Sequence, residues 1–136
     1  MVSQRGCFVV LLLLAGCSRP KPPPDRPLVS DAVGRALQAR AALRDAIECY
    51  ALAETPEDVQ SCLPVLARLA ADREHRRLAA RARFAIAHAY AYRLHDRDGA
   101  IEQFEKVIEM VPTEPIAALA AEQIEAARHR QEADER

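Results

Sequence analysis

The stretch GAIEQFEKVIEMVP, residues 99–112, carries Ile101, Phe104, Val107, Ile108 and Val111 at spacings of three and four. That is the repeat of a helix with one apolar face. Glu102 and Lys106 stand four apart on its other side, where opposite charges support a helix. Pro112 has no amide hydrogen to give and closes the helix. In front lies HDRDG, residues 95–99, which reads as a turn. Before the turn, a helix starting near Asp72 carries Leu78, Phe84, Ile86, Ala87, Tyr90 and Leu94. After Pro112, a last helix runs roughly from Pro115 to Arg130. Its apolar stripe is thin, Ile116, Leu119 and Ile124, and the closing QEADER is expected to fray.

The same reading extends toward the front of the chain. Ser30 or Asp31 can cap a first helix with a stripe of Val33, Leu37, Leu43, Ile47 and Tyr50, ending near Ala53. TPED then opens a second: Thr55 as cap, Pro56 in the first turn, Glu57 and Asp58 at its positive end. It runs through Val59, Leu63, Leu66 and Leu69 to about Ala71, with Pro64 inside it expected to bend it. Composition agrees. Of 136 residues half are apolar, 4% are aromatic and none is Trp, while Ala, Leu, Arg and Glu dominate. The prediction is one all-α domain, a short stack of antiparallel hairpins with about five helices. A formal charge of −1 argues against bulk attraction to nucleic acid.

Residues 7–16, CFVVLLLLAG, form an apolar run of ten, half the length needed to span hydrocarbon. This suits the apolar part of a secretory signal. It ends in Leu14-Ala15-Gly16-Cys17, which resembles the lipobox of bacterial lipoproteins. The resemblance implies a signal peptide over 1–16, cleavage before Cys17, and a covalent diacylglycerol plus N-acyl group on Cys17. Ser18 in the sorting position implies the outer membrane, facing the periplasm. A cut for free secretion, leaving Cys17 an ordinary thiol, is the alternative. Residues 18–27, SRPKPPPDRP, hold five prolines and favour an extended polyproline spacer. Residues 17–28 therefore read as lipidated cysteine and linker, and 29–132 as the helical domain.

Within that domain the spacing is similar to the tetratricopeptide repeat, 34 residues with large, small, aromatic, Ala, Phe and Pro positions. Counted from residue 81, Phe84, Ala87, His88, Ala91, Ala100, Phe104 and Pro112 fall on those positions without a gap, a repeat over 81–114. A degenerate copy over about 40–73 has Leu43, Ala46, Ile47, Tyr50, Val59, Leu63 and Leu66, with Ala71 in place of the proline. The copies are offset by 41 residues, so the third helix should be extended at its start. The helix over 115–130 would be the cap. The resemblance implies a concave partner-binding surface presenting Arg44, Glu48 and Ala51 from the first hairpin and Ala85, Ala89 and Tyr92 from the second. It would suit an extended peptide or a partner's helix.

Of four cysteines, Cys7 leaves with the signal and Cys17 takes lipid. Cys49 and Cys62 remain near the joined ends of one hairpin, where an oxidising periplasm permits a disulfide. Two buried thiols are the other reading. His88 and His95, seven apart with Asp96 adjacent, are the only suggestion of metal, well short of the three or four converging ligands a zinc site needs. The arginine run at Arg73, Arg76, Arg77, Arg81 and Arg83 reads first as a solvated helix face, otherwise as a site for an acidic partner or lipid headgroups. No nucleophile elbow, phosphate loop or carboxylate pair stands out. The sequence thus points to a non-enzymatic outer-membrane lipoprotein without cofactor or catalytic residue. Its expected role is a periplasmic adaptor for protein partners in envelope, secretion or pilus assembly. The rivals are a self-associating structural lipoprotein and, more remotely, a histidine-based metal binder.

Overall fold

A computed structural model describes residues 29–134; the lipobox, Cys17 and the proline-rich linker lie outside them. The described residues form five helices joined by short turns: α1 (Val29–Leu52), α2 (Pro56–Ala70), α3 (Arg76–Tyr92), α4 (Arg97–Met110) and α5 (Pro115–Asp134). No strand occurs among them. Each helix folds back on the one before it, and the hairpins stack. Helix α3 touches all four others, α1 lies beside it and α5 on its far side. Helices α2 and α4 do not approach each other. The odd-numbered helices therefore share one face of the stack.

Local chemistry fixes the ends. The Thr55 hydroxyl accepts from the Asp58 amide at 3.1 Å, and the Asp58 carboxylate accepts from the Thr55 amide at 3.0 Å, a reciprocal cap on α2. The Thr55 amide and, at 2.8 Å, the Thr55 hydroxyl both donate to the Asp58 carboxylate and hold it below the usual carboxylate range. Asp96 caps α4 by accepting from the Gly99 amide at 2.9 Å. At the other end of α2, Arg83 donates to the Ala70 carbonyl at 3.3 Å and to Gln103 at 2.9 Å, tying α2, α3 and α4 together. Arg83 is thus a half-buried brace, set apart from the rest of the arginine run.

The core is built on small residues. Ala80 and Ala87 of α3 let Ala100, Phe104 and Val107 of α4 and Ala120 and Ile124 of α5 close around them. Phe104 is the largest fully buried side chain, and its ring meets Phe84 edge-on at 5.1 Å between centroids. On the other side of α3, Ala82 and Ile86 pack with Leu43, Ala46, Leu66 and Ala70. Cys49 and Cys62 face each other across the first hairpin with Cα atoms 6.1 Å apart, within the range of a disulfide.

Several details differ from the periodicity reading. Helix α3 begins at Arg76, later than Asp72, because the Asp72 carboxylate accepts from the Glu74 amide at 2.8 Å and the His75 amide at 3.2 Å and builds a turn there. Of the inserted residues, 76–80 extend α3 and the others make this turn. On α1, Val33, Leu37 and Ile47 are exposed, so the buried stripe is reduced to Leu43, Ala46 and a half-buried Tyr50. With 24 residues against 15, α1 is about 36 Å long and α2 about 22 Å, so the first turns of α1 run past their partner. On α5, Leu119 is 49% exposed, and the inner stripe is Ala117, Ala120, Ile124 and Ala127. Close approach to α4 selects alanine there.

Truncating Phe104 to Ala should cost about 4 kcal/mol of stability, and Leu119→Ala no more than about 0.5 kcal/mol, as measured by urea unfolding. Equal losses would refute this register of α5. Replacing both thiols with Cys49→Ser and Cys62→Ser should cost about 3 kcal/mol more in the oxidised protein than in the reduced one.

Candidate functional site

Helices α1 and α3 run in the same direction. Arg35 reaches Glu74 at 3.1 Å near one end and Tyr50 reaches His88 at 2.8 Å toward the other, pairs separated by 39 and 38 residues. A residue on α1 thus stands level with one about 38 further on. On α1 the 3.6-residue repeat puts Val33, Leu37, Arg40, Arg44, Ile47 and Ala51 on a single stripe, and all six are exposed. Between this stripe and the first turns of α3 lies an open groove of about 880 Å³. Leu43, Ile47 and Leu78 floor it, while Arg40, Arg44, Arg76, Arg77 and Arg81 rim it; Glu74 is the single acid in its lining.

Electrostatics set this groove apart. Glu74 is engaged by Arg35, Arg44 by its neighbour Asp45 at 3.0 Å, and Arg77 by Glu114 at 2.7 Å. Arg40, Arg76 and Arg81 have no acidic partner among the described residues. Arg76 and Arg77 also form the first turn of α3, where the helix dipole is positive and acids are normally favoured. No acid occupies that turn, and the capping position holds His75, whose side chain makes no cap bond.

Toward the other end of the shared face, rings cross from helix to helix. The Tyr50 and His88 rings meet edge-on at 6.0 Å, and His88 lies 4.4 Å from Tyr92. The Tyr92 hydroxyl donates to Gln123 of α5 at 2.5 Å, and Arg130 lies over its ring at 5.2 Å. Arg93 stands 5.8 Å from the Tyr50 ring and donates to the Ala53 carbonyl, tying the first hairpin to the second. Burial, and secondarily the Arg93 charge, lowers the His88 pKa below its ordinary value. Burial raises that of Tyr50 against the opposing pull of Arg93.

The predicted surface residues separate accordingly. Arg44, Glu48 and Ala51 are exposed on α1, and Arg44 lines the groove. Ala85 is half-buried against the Leu43 cluster. Tyr92 is on the shared face but already engaged by α5. Ala89 is a correction: it is fully buried against Ala53 and Val59, because α3 is surrounded by the other four helices and has little perimeter to spare. The histidines are also separated. Helix α3 ends at Tyr92, and His95 lies in the reversal beyond it with φ 56°. There the Arg93 and Leu94 amides both donate to the Ala89 carbonyl at 3.0 Å. Among the described residues no three His, Cys, Asp or Glu side chains gather as a metal would need.

Periodicity alone missed the groove because it took Val33, Leu37 and Ile47 as core. Their shared angle with Arg40 and Arg44 was the available signal. Compared with family models, curated proteins and solved structures, the chain gives no match.

The lowered pKa of His88 has a direction in stability. The folded state resists protonation of a ring that the unfolded chain protonates near the ordinary value of about 6.5. Its contribution is therefore complete above that value and lost as pH falls through it. The urea midpoint should drop between about pH 7.5 and pH 5.5, and His88→Gln should flatten that part of the profile. A slope unchanged in the variant would assign the effect elsewhere.

Proposed function

We propose that this chain is a lipid-anchored adaptor of the bacterial envelope. Cys17 is held in the outer membrane, the proline-rich residues 18–27 act as spacer, and the helical stack holds protein partners in the periplasm. The observation that carries the reading is the face shared by α1, α3 and α5. Exposed Ile47 lies there beside arginines without acidic partners, and exposed Val33 and Leu37 continue its stripe along α1. Support for the anchor comes from the complete Leu14-Ala15-Gly16-Cys17 pattern after an apolar run of fitting length. The spacing over 81–114 supports a tetratricopeptide-like stack, an architecture used for binding.

On this reading the protein performs no chemistry of its own. Its work is to hold a partner near the membrane, where tethering raises the local concentration of whatever docks. Glu48, Ala51, Ala85 and Tyr92 border the surface and Arg44 belongs to it, while Ala89 is removed from the set. A second reading, assembly with further copies, draws on Leu52 and Leu119, large apolar residues exposed at 74% and 49%. The stack then acts as a structural element of the envelope.

Labelled palmitate should enter the parent chain and be lost from Cys17→Ala; equal labelling would remove the anchor. In cells, a photo-crosslinking residue at position 37 should capture a defined protein, and one at Arg68 of α2 should not. Capture of this same chain at position 37 would favour the self-associating reading.

A further inference from the structure

The groove between α1 and the start of α3 has a more specific chemistry than a general docking face. From it we infer that the partner segment is an acidic amphipathic helix, laid along α1 in the trough that α1 and α3 form. The inference rests on the adaptor reading for its setting in the cell, and on the groove alone for its chemistry.

Three independent features converge on this occupant. Ile47, in the groove lining, and Val33 and Leu37, beyond the lining on the same stripe of α1, recur over 14 residues, about 21 Å, an apolar seam that another helix of about four turns would cover. Because α1 and α3 run in the same direction, the trough between them has the shape into which a further helix packs as a ridge. Finally, Arg40, Arg76 and Arg81 stand around the trough without acidic partners, and Arg76 opens α3 at its positive end. Carboxylates on both flanks of an incoming helix would meet guanidinium groups on both walls, and those near Arg76 would also oppose the α3 dipole.

A flat anionic membrane suits the site less well. Leu43 is 5% exposed at the floor of the groove and has Arg40, Arg44 and Arg81 around it, so its apolar floor is open to a narrow rod and closed to a plane. The linker is no better an occupant: residues 18–27 carry Arg19, Lys21 and Arg26 against one acid, Asp25, and share the charge of the rim.

The test uses the full chain in non-ionic detergent and a fluorescent peptide of about 15 residues, long enough to cover the seam. Leu occupies every third and fourth position of the peptide, with Glu on both flanks. Anisotropy should show saturable binding that weakens with salt. The double variant Arg76→Glu and Arg81→Glu, at two exposed positions, should bind at least about tenfold more weakly. Ile47→Ser, at an exposed position in the groove lining, should weaken binding without changing its salt dependence. Equal binding of a peptide with Lys in place of every Glu, or unchanged affinity in the double variant, would overturn the proposal. So would displacement of the peptide by soluble short-chain phosphatidylglycerol, which would assign the groove to lipid. Binding to the purified chain requires no anchor, so failure here leaves the palmitate result standing, and failure of that labelling leaves the groove's affinity intact.

Discussion

The whole structure depends on how closely four helices can approach α3. Ala79, Ala80, Ala82, Ala87 and Ala89 are all fully buried on that single helix, one or more toward each neighbour. Alanine loses no side-chain rotamer freedom on burial and keeps interaxial distances at the short end of the range. A single helix can then be core to two hairpins at once. The cost is a thin hydrophobic payload, since each alanine removes little area from water. Bulk is supplied at a few points only, chiefly Phe104 against Phe84 on one side and Leu66 on the other. A low aromatic content and a stack held at many small contacts are two faces of one solution.

This explains which parts of the fold were legible in the sequence. Helices with strong chemical punctuation were plain: Thr55, Pro56 and Asp58 announce α2, and Pro112 announces the end of α4. The face of α4 was readable because its inward residues are large. On α5 the inward residues are Ile116 and Ile124, which periodicity finds, and Ala117, Ala120 and Ala127, which it counts as neutral, so it selects Leu119 in their place although Leu119 lies on the outer side. On α1 the error had another cause. Periodicity reports that a helix has an apolar stripe, and tertiary packing decides which angle of the helix the neighbours cover. Here they cover the angle of Leu43 and Ala46, so Val33, Leu37 and Ile47, at another angle, face solvent. That choice is not written in any local pattern.

The site was partly visible and partly not for the same reasons. Arg44, Glu48 and Ala51 were found because a repeat resemblance names positions on its inner helices. Ala89 was placed there by the same rule and lies inside, because α3 is more enclosed than a helix with neighbours on fewer sides. The rim residues Arg76 and Arg81 were read as a solvated face, which is the usual meaning of a run scattered round a helix. Only the parallel alignment of α1 with α3 brings Arg40 and Arg44 opposite them. Local rules then become informative by being broken. A helix that begins with two arginines and no acid is disfavoured by its own dipole, and such departures from consistency concentrate where a protein meets something else.

The placement of the cysteines bears on how that meeting can occur. Cys49 and Cys62 join α1 to α2 beside the turn at residues 53–55, at the end of α1 where its exposed stripe finishes in Ile47 and Ala51. The pair fixes the last turns of α1, and Arg93 reinforces them through the Ala53 carbonyl. Toward the other end, the first buried residue is Leu43, and ahead of it the ion pair Arg35–Glu74 spans to the turn before α3 with both side chains about half exposed. An exposed pair of that kind contributes about 1 kcal/mol at most. The hairpin is thus cross-linked at one end and lightly held ahead of Leu43 at the other. A partner of the proposed kind would take its orientation from the arginines and its adhesion from the apolar stripe of α1, with Leu43 joining the floor of that site to the core.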